Sequence, residues 1–276
     1  MEYALAELIL LFFIYACLGW CAEVAYAACK QGKFVNRGFL NGPLCPIYGF
    51  GVLIVAVVLR PVQENLPLLF AGSFLLTTLL EFVTGFVLEK LFHTRWWDYS
   101  RMPLNIGGYV CLLFSLIWGA ACVVILRWVH APVYALVRRL PDTVLYILDF
   151  LICAEFAVDL TATVLAIRKL SERLTRLTGL AKEMHAISDE LGESIAEHTL
   201  AAMERYGESR KHVEEHRAEL ERRLSELRAR REALLNERRF GHRRLLEAFP
   251  HMTHIRHGEA LGHLREAILE RRKDRR

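Results

Sequence analysis

Apolar residues fill five windows over the first 167 positions, at 5–29, 39–59, 68–91, 104–129 and 143–167, and polar residues gather in the connections between them. Windows of this length and hydropathy predict an all-α fold, a polytopic membrane bundle of about five transmembrane helices. Beyond residue 168 the pattern changes. Leu174, Leu177, Met184, Ile187, Leu191 and Ile195, then Leu220, Leu224, Leu227 and Leu234, recur at three- and four-residue steps among charged residues. That spacing predicts amphipathic helices with coiled-coil tendency, and its fading around Gly207 predicts two arms meeting at a bend, as a hairpin or as part of a dimer. The division this implies is a transmembrane domain at 1–167, cytoplasmic coiled-coil helices at 168–247, and a short C-terminal helical segment with a basic end at 248–276.

The second window is the irregular one. Lys33 to Gly51 reads KFVNRGFLNGPLCPIYGFG, which puts Asn, Gly and Pro where a span should already have begun. The apolar run after it, 47–59, covers roughly 20 Å as a helix against a hydrocarbon core of about 30 Å. Either part of the Gly/Pro-rich stretch enters the membrane as a re-entrant loop, enclosed by protein or by a water-filled cavity, or a surface loop precedes a short helix that thins the bilayer.

Charge adds orientation. Residues 1–167 carry 10 Lys+Arg and 11 Asp+Glu, and residues 168–276 carry 25 and 20. Lys30, Lys33 and Arg37 follow the first window, Lys90, Arg95 and Arg101 the third, and the basic tail the fifth. With five alternating spans these regions share one side, and the positive-inside rule makes it the cytoplasm of a bacterial plasma membrane, with the N-terminus outside; Arg138 and Arg139 run against that assignment. The modest positive excess of the tail does not favour nucleic acid, and Arg271, Arg272, Lys273, Arg275 and Arg276 are expected either to meet anionic lipid or to stay disordered. All seven cysteines lie before residue 168 without a CxxC pair, and read as small apolar packing residues. His251, His254 and His257 are spaced i, i+3 but lack the cysteine or acidic companions of a ligand set, so neither a metal nor another cofactor is expected.

Two loops share a pattern. Arg37, Leu40 and Asn41 have the same relative spacing as Arg101, Leu104 and Asn105, each copy preceding an apolar window and following a span that contains a glutamate, Glu23 or Glu81. A parallel internal repeat, or a chance match, accounts for this. A carboxylate within a span costs at least a few kcal/mol unless it faces protein or water. Glu23 and Glu81 are therefore expected near Arg37 and Arg101, with Asn36, Asn41 and Asn105 as neutral hydrogen-bonding groups, forming either a polar pathway for a solute or ion or a clamp that holds four helices. Glu155 and Asp159 share one face of the fifth window, which reads as an amphipathic face more readily than as a cation or proton site. Trp96 and Trp97 suit the headgroup level, and Asp98 beside them is placed to pair with Arg95 or Arg101. No GxSxG, HExxH or Walker sequence is present.

Several of these residues carry a family resemblance: GW-x-x-E at Gly19, Trp20 and Glu23, NRGFLNGPLCPIYGFG at 36–51, WWDYS at 96–100, and NIGGYVCL at 105–112 with a later WG at Trp118 and Gly119. Together they resemble the ABC-transporter permease family of the CmpB type over roughly residues 10–130, and LLEAFPHM with EAL at 245–261 resembles the C-terminal end of longer members. The resemblance implies a multi-pass bacterial membrane protein of transport type, with an ATPase or other transport subunit as partner. The chain departs from many importer permeases in having no EAA-x3-G coupling loop.

Three functions fit. A permease-like component would move a small solute or ion past Glu23, Asn36, Arg37, Asn41, Glu81, Asp98, Arg101 and Asn105, with the coil supplying homo-oligomerisation or docking. A membrane-embedded enzyme acting on lipid or lipid-linked substrates would use Glu23 or Asp98 as acid or base and the arginines to hold a phosphate. A scaffold would use the membrane part as an anchor for the coil.

Overall fold

The computed structural model describes the backbone of residues 3–203 and 207–273, and the side chains of 3–193 and 214–268. The bend expected at Gly207, the side chain of Ile195 and the terminal run from Arg271 to Arg276 fall partly or wholly outside these residues. In chain order the helices are α1 (Leu5–Gln31), α2 (Pro46–Val58), α3 (Leu66–Phe92), α4 (Leu112–Val124), α5 (His130–Val137), α6 (Asp142–Met203), α7 (Gly207–Asn236), α8 (His242–Ala248) and α9 (Gly258–Lys273). A π-turn at Ile125–Val129 joins α4 to α5. A 3-10 turn at Arg60–Val62 follows α2, and two short antiparallel ribbons complete the described structure: β1 (Thr94–Arg95) pairs with β4 (Thr253–His254), and β2 (Asn105–Ile106) pairs with β3 (Val110–Cys111).

Among the described residues, four helices are long and apolar enough to cross a membrane: α1, α3, α4–α5 taken together over Leu112–Val137, and the stretch Asp142–Glu193 of α6. Between 22% and 33% of their most apolar windows is buried. Leu75, Leu79, Phe150 and Val158 stand exposed on them, a surface that suits lipid and would be a liability in water. The chain is thus a membrane protein. The second apolar window yields only the 13-residue α2, which starts where the Gly/Pro stretch predicts, with Pro46 in its first turn where a missing N–H costs nothing. The fourth window begins later than its hydropathy indicates, because residues 105–111 form the β2–β3 ribbon before α4 starts.

The chain divides into two units. The first comprises Met1–Arg168 and Phe240–Ile255, the second Lys169–Arg239 and Arg256–Arg276. Residues 240–247, assigned by their sequence to the coil, group with the membrane helices. The reason is physical: Leu245, Leu246, Ala248 and Met252 are buried, Phe249 packs edge-on against Trp96, and β4 supplies the backbone partner of β1.

Within the first unit α1 packs on α2, α3 on α4, and α2 on α3. Residue-level contacts sort the connections to two ends. At one end lie residues 32–45, 93–111 and 240–255. At the other, Tyr3 bonds His130 at 2.9 Å, Tyr134 donates to Glu7 at 3.0 Å, and Arg127 pairs with Glu64 at 2.9 Å.

In the second unit α6 and α7 run antiparallel. Arg173 Nε donates to the Leu234 carbonyl at 2.9 Å and its Nη2 to the Glu237 carbonyl at 2.8 Å, and Glu190 meets His216 at 3.2 Å. Leu174, Leu177, Leu220, Leu224 and Leu227 are buried along that pairing, and α9 packs on α7 through its buried Ala260, Leu261 and Leu264.

Candidate functional site

α1 and α2 approach closely because glycines stand at their crossing. A Cβ on Gly19 would come within 2.3 Å of the Tyr48 ring, and one on Gly49 within 2.6 Å of the Phe12 carbonyl. That closeness, together with Tyr48's place in the first turn of α2, brings its hydroxyl to Glu23 of α1. The hydroxyl donates to Glu23 Oε1 at 2.6 Å, and Arg37 Nε donates to Oε2 at 2.8 Å. Arg37 also lies over the Tyr26 ring, so Glu23 is held by one hydrogen bond and one charge on a partly exposed face.

Glu81 of α3 is placed differently. It is 7% exposed; Tyr99 donates to its Oε1 at 3.3 Å, and Oε2 has no hydrogen-bond partner. Tyr99 stacks on Phe114, and Tyr48 meets Trp118 edge-on, so α4 supplies an aromatic wall behind both hydroxyls. The two tyrosines and the two glutamates form one electrostatic cluster, in which Tyr48 feels Glu23 and Tyr99, and Tyr99 feels Glu81 and Glu23. Burial, with the charge of Glu81 next, pushes the Tyr99 phenol well above its ordinary value and keeps it a donor.

Arg101 does not reach Glu81. It is exposed in the turn before the β2–β3 ribbon, near enough to Asp98 to act on its charge. Asp98 is bound by the Ser100 hydroxyl and by the Ser100 N–H at 2.9 Å, and lies 3.9 Å from Arg95. The Ser100 hydroxyl is the main cause that holds its carboxyl below the usual range. Asn105 is spent inside its own loop, donating to Met102 O at 2.8 Å and accepting from Gly108 N at 3.1 Å.

The first loop has its polar groups bound more completely. Asn36 Oδ1 accepts from the Trp20 indole at 2.7 Å and from Gly38 N at 3.0 Å, while its Nδ2 donates to Asn41 O at 2.7 Å. Asp159 Oδ1 accepts from Asn41 N and Nδ2 at 3.0 and 2.8 Å, and Oδ2 accepts from Gly42 N at 2.7 Å. Cys45 N donates to Ala16 O at 3.0 Å. On the carbonyl side, Arg244 of α8 gives Nη1 to Gly38 O and Leu40 O, both at 2.8 Å, and Nη2 to Phe39 O at 2.9 Å. Burial works against the Arg244 charge and Asp159 supports it. A non-helical backbone in a membrane protein needs such enclosure, and here α6 and α8 provide it.

Of the residues expected at the site, Glu23 and Arg37 therefore meet, Glu81 stands nearby without an arginine, Asn36, Asn41 and Asn105 hold loop backbone, and Asp98 and Arg101 lie toward solvent. Sequence reasoning missed Tyr48, Tyr99 and Arg244, and favoured an amphipathic role for Asp159 over a cation or proton site. Tyr48 and Tyr99 sit within the motifs PIYGFG and WWDYS, which was the available signal; Arg244 had none. Among the described residues, no three His, Cys, Asp or Glu side chains gather so as to hold a metal ion.

Residues 10–164 match the model of a family described as "Putative ABC-transporter type IV". No curated protein and no solved structure matches the chain.

Proposed function

Because the chain belongs to the family described as "Putative ABC-transporter type IV", we propose that it is a permease-like membrane component moving a small solute or ion along the polar cluster of Glu23, Tyr48, Tyr99 and Glu81. The observation that carries this reading is the burial of Glu81 in an apolar helix with one carboxylate oxygen unbonded, since such a group persists within a span when it serves a pathway. Arg37 pairs with Glu23, and Asn36, Asn41 and Asn105 act as positioning residues that fix the two loops over the cluster, with Asp98 and Arg101 at its solvent side. The membrane is that of a bacterial cell, with the N-terminus outside and the loops and tail in the cytoplasm. The helical hairpin of the second unit is the docking surface for an ATPase or other transport subunit, or for a second copy.

Purification from the native membrane through a tag on the tail tests the reading. Recovery of a transport subunit is the expected result, and its loss with the hairpin deleted would follow. A protein that purifies intact and repeatedly without any such subunit would overturn it.

A further inference from the structure

We propose that Glu81 is a proton-binding site, so that the transport inferred above is coupled to protons; this rests on the permease reading for its purpose but not for its chemistry. Four observations bear on it. Glu81 is more than nine-tenths buried, and among the described residues no lysine, arginine or histidine forms an ion pair with it. Its two oxygens are unequal: Oε1 accepts from Tyr99 at 3.3 Å, and Oε2 has no well-aligned hydrogen bond, with the Trp118 indole N–H the other donor near the carboxylate. A proton on Oε2 neutralises the group at the oxygen that Tyr99 does not occupy. A metal cation would ask for several oxygen ligands, and no such set gathers among the described residues.

Glu81 has polar and titratable neighbours on every element packed around it. Glu23 on α1 is partly exposed and tied to Arg37; Tyr48 on α2 donates to it; Tyr99 of the second loop couples to both Tyr48 and Glu81; and Trp118 on α4 adds an indole but no charge. Cys45 and Cys111 are the remaining titratable neighbours, acting on Tyr48 and Tyr99 respectively. The net change is one proton bound and one carboxylate made neutral.

Dicyclohexylcarbodiimide, which attacks protonated carboxyl groups in apolar surroundings, reads this directly. The full chain in lipid nanodiscs is labelled over a pH series and the adduct is located by peptide mass spectrometry. Glu81 is expected to label, Glu23 not, with labelling at Glu81 falling as pH rises. Tyr99→Phe, which removes the donor that favours the carboxylate, is expected to carry labelling to higher pH. Absence of label at Glu81 at every pH in protein that elutes as a single folded species, or labelling that ignores pH, would overturn the proposal. The wild-type series decides this even where a Glu81→Gln variant fails to fold. A failure here leaves the co-purification result standing, so the proton site and the permease reading fall separately.

Discussion

Arg244 shows how one side chain can decide the state of a distant loop. Its guanidinium is the only group in the described structure positioned on the carbonyls of Gly38, Phe39 and Leu40 together, and a planar fork of N–H donors suits three neighbouring acceptors in a way that a point charge does not. Arg244→Ala leaves buried acceptors without a donor, a loss of about 3 kcal/mol. The expected outcome is a melting midpoint several degrees lower in detergent, with Arg244→Lys intermediate; an unchanged midpoint would mean that water replaces the fork at no cost. None of this was legible in the sequence, because Arg244 lies some two hundred residues from its acceptors, in a run of basic residues that reads as coil surface. The Glu23–Arg37 pair was legible, since a carboxylate in a span requires a partner and the next loop offered one. The same logic failed for Glu81, whose partner is a phenol and not the arginine at the matching position of the second loop.

Among the elements, the two halves of the bundle follow one plan: a 27-residue helix, α1 or α3, closes on a left-handed cap at Gly32 or His93, a loop follows, and a 13-residue helix, α2 or α4, packs back on it. The shared spacing of Arg37, Leu40 and Asn41 with Arg101, Leu104 and Asn105 anticipated this order of elements. It did not anticipate the divergence inside the loops. Asn41 reaches out to Asp159 and Thr163, whereas Asn105 turns in on its own ribbon, and Leu104 takes a positive φ of 51°. Hydropathy sets helix length, but which loop groups find partners depends on elements far along the chain. The pairing of α1 with α2 hinges on small residues, and that yields a prediction. In Gly19→Leu the side chain must displace the Tyr48 ring, at a cost of about 1–3 kcal/mol or more. The Tyr48–Glu23 bond should break while α1 remains helical, seen as a lower midpoint with unchanged far-ultraviolet circular dichroism; an unaltered midpoint would mean that α2 shifts freely.

At the scale of the whole molecule, the order of the chain and the order of its contacts disagree. Residues 240–255 come after the α6–α7 hairpin, yet they belong to the membrane unit, where α8 holds the first loop through Arg244 and β4 pairs with the start of the second through Thr94 and Arg95. One segment thus bonds both loops that border the Glu23 and Glu81 cluster. Sequence reading placed a boundary within it, at 247/248, because its basic and apolar residues continue the composition of the coil; only the partners of its backbone reveal where it belongs. The consequence is a sharp contrast between two truncations that differ by 16 residues. A chain ending at Ile255 keeps α8, β4 and the buried Leu245, Leu246 and Met252, and its membrane unit should retain its melting midpoint. A chain ending at Arg239 leaves the carbonyls of 38–40 and the edge of β1 without donors and strips Trp96 of Phe249, so the midpoint should fall and cysteine reagents should reach Cys45, which is buried in the intact unit. Equal midpoints and equal Cys45 labelling for the two truncations would mean that the first loop holds itself, and that Asp159 alone, through Asn41 and Gly42, is sufficient to fix it.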